Sequence, residues 1–171
     1  MEKPPTPFLS ALKYAFIIGL VSFIWGMIAY LSGWYLRNWA NYVSYGILLL
    51  GIVLAILDYR NKRLGGNITF GQAFSAGCLF SIFYGLLGVL SLWLMIHFIA
   101  PDMIEQILQA TEERLIAQGL SDSELKTAME MTRKFMTPAW MSVFVIGFSL
   151  LFGAIFSSLA ALFLKRTPPE A

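Results

Sequence analysis

Charged residues leave four long gaps along this chain, and the gaps predict its architecture. The stretch 68–100 contains no Asp, Glu, Lys or Arg. A helix needs roughly 20 apolar residues to cross the hydrocarbon core of a bilayer, so this stretch has length to spare. Three other stretches repeat the pattern. Together they predict spans at about 14–36, 40–57, 73–98 and 139–164. Arg37, Asn38 and Asn41 break the first two spans so briefly that the second must return antiparallel. The segment 58–67 reads as a compact hydrophilic turn. It is the most basic loop, with Arg60, Lys62 and Arg63, and Gly65 and Gly66 supply the bend. Asn67 or Thr69 can cap the helix that follows.

The segment 101–137 is different in kind, being charged and helically periodic. Ile104, Ile107, Leu108, Thr111 and Leu115 fall on one face of a helix. Pro101 and Asp102 suit its first turn, and Gly119 suits its end. Ser121 to Glu124 reads S-x-x-E, a capping box, and Leu125, Met129, Thr132 and Met136 share a face of a second helix. The two form an amphipathic helical hairpin between spans three and four. Its apolar faces must be covered by each other, by the bilayer surface or by a partner. Thr137 and Pro138 then cap and restart a helix. Short proline-containing tails, 1–7 and 167–171, flank the whole.

Small residues recur every fourth position in two spans: Ala73, Gly77, Ser81 and Gly85, then Ser149, Gly153, Ser157 and Ala161. In a helix each set makes one stripe where another helix can approach closely. The stripes read as candidate packing surfaces, either between spans of one chain or between subunits.

Composition sharpens the picture. Of 171 residues, 58% are hydrophobic and 13% charged, with mean hydropathy +0.70. A typical soluble domain is about 25% charged. The net charge of +2 gives no basic footprint for nucleic acid. The first apolar run is longer than the roughly 7–15 residues of a signal-peptide core, so it reads as a retained span. The single cysteine, Cys78, permits no intrachain disulfide and reads as a small buried hydrophobe. Four spans put both termini on one side, with Lys3, Lys13, Arg60, Lys62, Arg63, Lys165 and Arg166. The other side carries Arg37, Arg114, Lys126, Arg133 and Lys134 against seven acids. The cations of the first side lie close to span ends, which places the termini and the 58–67 loop in the cytoplasm and residues 101–137 outside. Trp34, Trp39, Trp93 and Trp140 would then form an outer aromatic belt.

Catalytic chemistry finds no foothold in the pattern. His97 is the only histidine, and Cys78 stands about five turns away along the same helix. A membrane enzyme would need His97, Asp102 and Glu105 to converge in a pocket. No nucleotide-binding or nucleophile motif is present. The expectation is no catalytic residue, no cofactor and no metal. The stretches 14–36, 42–57, 73–96 and 139–164 carry no Asp, Glu, Lys, Arg or His of the kind that lines a transport pathway, and the acids of the hairpin (Glu105, Glu112, Glu113, Asp122, Glu124, Glu130) read as solvated faces. The methionines Met103, Met129, Met131, Met136 and Met141 read as contact surface.

Residues 66–74, G-N-I-T-F-G-Q-A-F, the A-P-D before the hairpin, G-L-S-x-x-E at 119–124 and T-P at 137–138 resemble a known pattern. The chain is similar to a family of small bacterial inner-membrane proteins, the domain of unknown function numbered forty-one ninety-nine. The likeness runs from the first span to the fourth. It implies four spans, a helical insertion before the last and a bacterial inner-membrane location, in which the outward side that the charge count gives the hairpin would be the periplasm, and it carries no activity to transfer. The expected fold is all-α, an integral-membrane four-helix bundle in one membrane domain with an extracytoplasmic hairpin. The expected role is a non-enzymatic interaction, scaffold or accessory subunit. Its partners would be membrane lipids and a homo-oligomer or membrane complex. The alternative is a small oligomeric transporter or channel, or a lipid-handling protein, which a mid-membrane cavity lined by Ser75, Ser81, Ser157 or Ser158 would favour.

Overall fold

A computed structural model describes residues 6–166. Most of the proline-containing tails therefore lies outside the described residues. Six helices follow one another: α1 (Phe8–Leu31), α2 (Asn38–Arg63), α3 (Phe70–Leu94), α4 (Met103–Ala117), α5 (Asp122–Phe135) and α6 (Pro138–Leu164). A single 3-10 turn, Trp34–Leu36, joins α1 to α2, and α3 ends in a wider π turn, Met95–Ile99. That turn closes through the Ala100 N–H donating to the Met95 carbonyl at 2.7 Å.

Helix ends depart from the hydropathy reading in ways the backbone explains. The first helix starts at Phe8, in the segment 8–13 where the sequence predicts an interfacial first turn with Lys13 reaching the headgroups ahead of the apolar run. Pro7 precedes it, and its carbonyl accepts from Ala11 N–H at 2.9 Å. The helix ends at Leu31, inside the run predicted to reach residue 36, because the chain turns at Gly33 with φ +68°. A left-handed conformation is cheap for glycine and costly for other residues. Polarity alone is silent on that turn, since Trp34 and Tyr35 are amphipathic and Leu36 is apolar. The 58–67 loop is also largely helical. Helix α2 runs on to Arg63, with an Asp58–Lys62 ion pair of 2.9 Å one turn apart and three cations in its last turn, where the helix dipole favours them. The actual bend is confined to 64–67.

The capping signals sit where the sequence places them. Thr69 and Gln72 make a reciprocal capping box on α3, with Gln72 N–H donating to Thr69 Oγ1 at 3.3 Å and Thr69 N–H to Gln72 Oε1 at 3.0 Å. Ser121 and Glu124 do the same on α5. Thr137 caps α6 with Pro138 in its first turn.

Helix α3 is the hub, packed against α1, α2 and α6. Phe80, Ile52 and Ile56 are fully buried at its contacts with α2. The rest of the bundle is apolar outside as well as inside: Leu151, Leu162 and Phe163 are mostly exposed. So continuous an apolar surface has no place in water. It is what lipid, a solvent as apolar as leucine, permits.

Candidate functional site

The two small-residue stripes meet each other along the α3–α6 seam. A Cβ built on Gly77 would lie 2.7 Å from Ser157 Cβ, one on Gly85 would lie 3.2 Å from Ser149 Cβ, and one on Gly153 would overlap the Ser81 side chain. Each step of four residues up α3 matches four residues down α6, so every such rung pairs a glycine with a serine. Ala73 and Ala161, both fully buried, continue the register. At the end of the seam Ile68 and Arg166 exchange backbone hydrogen bonds of 2.8 and 2.9 Å. Two of the three seam serines turn back on their own helix: Ser81 Oγ donates to the Gly77 carbonyl at 2.9 Å and Ser149 Oγ to that of Ile146 at 3.0 Å, while the buried Ser157 Oγ has no hydrogen-bond partner among the described residues. Half-buried Cys78 lies beside Ser157.

On its other side α6 leaves space. A groove of about 580 Å³ opens between the first halves of α2 and α6. Its walls are Phe144, Phe148 and Phe152 on α6 and Asn41, Ser44 and Tyr45 on α2. Gly85 and Ser149, the last rung of the seam, form part of its back, and Phe135 and Met136 reach it from the end of α5. Tyr45 stacks on Phe152 with ring centroids 5.0 Å apart. No Asp, Glu, His, Lys, Arg or Cys lines it. Nothing in the spacing of polar residues announced this groove. The four-residue repeat Phe144, Phe148, Phe152, Phe156 on α6 was its available signal.

A polar tether holds the hairpin to the α1–α2 turn. Tyr30 O–H donates to Asp102 Oδ1 at 2.6 Å, Tyr35 O–H to Gln106, and Gln106 Nε2 to Asp102 Oδ2. Arg114 adds a bond to the Leu36 carbonyl at 2.6 Å. The Tyr30 donor, and then that of Gln106, hold the Asp102 carboxyl below its usual range. Burial and the Asp102 charge push Tyr35 up. Within the hairpin, Leu108 of α4 and Met129 of α5 are buried.

The residues that a membrane enzyme would need do not share one hydrogen-bond network. His97 is exposed, stacks on Trp93 at 5.0 Å, and its Nδ1 lies 3.0 Å from the Trp93 carbonyl, while Asp102 is engaged by Tyr30 and Gln106. Among the described residues no three His, Cys, Asp or Glu side chains gather as a metal site would require. Acids and bases of the hairpin (Glu112, Asp122, Lys126, Glu130 and Arg133) instead share a separate shallow cleft between α4 and α5.

Four helices, α1, α2, α3 with its π turn, and α6, are long and apolar enough to cross a membrane. Together with the outward-facing apolar side chains they define a multi-pass membrane protein. Residues 13–166 match the family described as a protein of unknown function, DUF4199, and the chain belongs to that family. No curated protein matches it, and neither does any solved structure.

Proposed function

We propose that this chain is a multi-pass protein of the bacterial inner membrane that works by binding rather than by catalysis. Both termini lie in the cytoplasm and the α4–α5 hairpin lies in the periplasm. Lys13, Arg60, Lys62, Arg63, Lys165 and Arg166 stand at one end of the bundle, and the tryptophans of the α1–α2 turn, the end of α3 and the start of α6 stand at the other. The observation that carries the binding reading is the groove, whose walls offer aromatic rings, an amide and hydroxyls but no acid, base or thiol. Such a surface can hold a partner and has little with which to transform one. In place of a conducting path, Ser81 and Ser157 are packed against Gly153 and Gly77 within one copy of the chain. That supports an interaction or accessory role over conduction, with lipid handling as the second reading because the groove faces the apolar surface.

Native mass spectrometry of protein extracted gently from its own membrane tests this. A reproducibly co-purifying protein, or a homo-oligomer carrying stoichiometric lipid, is the expected result. A bare monomer without lipid or partner would overturn it. Impermeant thiol labelling of single cysteines at 123 and 61 on a Cys78→Ala background tests the orientation. Labelling at 123 and not at 61 is expected, and the reverse would invert the topology.

A further inference from the structure

We infer that the α4–α5 hairpin is a brace that holds the outer ends of α2 and α6 at a set spacing, so that its displacement changes the width of the groove between them. The two walls of the groove are not supported alike. Helix α6 is fixed to α3 along the groove: beyond the Gly85–Ser149 rung, a Cβ built on Gly88 would lie 3.0 Å from Val145 Cγ1. Helix α2 is fixed by its second half, where Gly51, Ile52, Ala55, Ile56 and Tyr59 are buried, while its first half buries only Ala40 and Leu48. In that first half Tyr42 is 71% exposed, and a Cβ built on Gly46 would meet nothing within 4 Å. Close packing is what holds helices together in lipid, so the first half of α2 needs another support.

The hairpin supplies that support. Arg114 Nη2 donates to the Leu36 carbonyl at 2.6 Å and Tyr35 O–H donates to Gln106. Helix α4 therefore grips the turn before α2 from two positions about 12 Å apart along its axis. Trp39, in the first turn of α2, packs against Trp25 and Trp34 with ring centroids 6.0 and 5.1 Å away, so the head of α2 follows the turn. Helices α4 and α5 pack on one another, with Leu108 and Met129 buried. Only Met136 and Thr137 separate α5 from α6, and the Phe135 ring meets Trp140 edge-on at 5.5 Å. A continuous connection thus runs from the head of α2 through the turn, α4 and α5 to the head of α6. It crosses the outer end of the groove, where Phe135 and Met136 form part of the lining. The grip consists of hydrogen bonds at the end of the bundle that faces water, and water can replace them. The seam consists of packing that lipid cannot replace. The outer end of the groove is therefore its yielding part, and a force on the hairpin reaches it.

The inference rests on the groove as the binding surface proposed above, and the experiment reads a spacing so that the two can fail separately. The full chain, on a Cys78→Ala background in phospholipid nanodiscs, carries nitroxide labels at Tyr42→Cys and Val143→Cys, exposed positions near the outer end that do not line the groove. A second sample carries them near the inner end, at Leu50→Cys and Leu159→Cys, which are also exposed and outside the lining. Pulsed electron paramagnetic resonance gives each separation. The grip is released by Arg114→Gln with Tyr35→Phe. In a separate variant the brace is uncoupled from α6 by two glycines inserted between Met136 and Thr137, which leaves every hydrogen bond of the grip in place. Each change should shift or broaden the outer separation by about 2 Å, the scale of small helix shifts in switching proteins, and leave the inner one unmoved. An outer separation unchanged in either variant overturns the brace. An equal change at the inner pair also overturns it, because that is a general loosening of the bundle. An outer separation that responds in a chain retaining neither lipid nor partner in native mass spectrometry supports the brace and sinks only the binding reading. A retained lipid or partner with an unresponsive spacing sinks only the brace.

Discussion

Helix α6 presents two faces that solve opposite problems. Toward α3 it offers Ser149, Gly153, Ser157 and Ala161, and the backbones close until an added methyl group would collide. Toward α2 it offers Phe144, Phe148 and Phe152, and the helices stand apart around a groove. In lipid, apolar surface gains little by touching other apolar surface, so association depends on close packing and not on hydrophobicity. The less hydrophobic face thus makes the tight contact, and the more hydrophobic face makes the open one. In water the assignment would be reversed.

The sharpest way to break this contrast is to enlarge a seam glycine. Gly77→Leu meets Ser157 Cβ and fully buried Ile52, and should cost about 3 kcal/mol, the upper part of the usual overpacking range. Thermal unfolding in detergent would read it, and an unchanged midpoint would refute the seam. Gly85→Leu, whose nearest carbon neighbour is farther, should cost less but move in the same direction. Removing a cap comes next: Thr69→Ala, which breaks the box at the start of α3, should cost about 1 kcal/mol. Phe148→Ala removes more atoms than any seam change adds, yet Phe148 is half exposed on the groove face. Its cost should stay near about 0.5 kcal/mol. A loss as large as that of Gly77→Leu would mean that the groove face is packed as tightly as the seam.

The smallest expected effect concerns the hairpin tether. Asp102 is held below the usual carboxylate value of about 3.9 by Tyr30 and Gln106. A released Asp102 takes up its proton at a higher pH than the tethered one. The tether's contribution is therefore complete at neutral pH and fades as acid carries the solution below about pH 4. Hydrogen exchange of α4 amides should accelerate there. Asp102→Asn should remove that acid step, and Tyr30→Phe should shift it toward higher pH.

Much of this molecule was legible before its structure. The charge-free runs place four spans, because burying a charge in hydrocarbon costs more than any packing returns. Thr69, Ser121 and Thr137 announce helix starts, because a hydroxyl one residue before a helix has a specific donor to satisfy. The four-residue spacing of small residues is a local property of one helix, and it can be read from one helix alone. The ends of α1 and α2 were less legible. Gly33 ends a helix inside an apolar run, and the 58–63 charges continue a helix beyond hydrocarbon instead of breaking it. Hydropathy reports solvent preference, and backbone hydrogen bonding decides where a helix stops.

By itself, then, the chain's sequence determined which segments are helices able to cross a membrane, where several of them begin, and which faces carry small side chains. Only the tertiary structure decided that the α3 stripe meets the α6 stripe in register, that the phenylalanine face of α6 looks onto a groove, and that Tyr30, Tyr35, Asp102 and Gln106 gather into one tether. The reason is physical. Helix formation and membrane insertion depend on neighbours within a turn or a span. Register and open space depend on how residues more than seventy positions apart, such as Gly77 and Ser157 or Tyr30 and Asp102, are brought together.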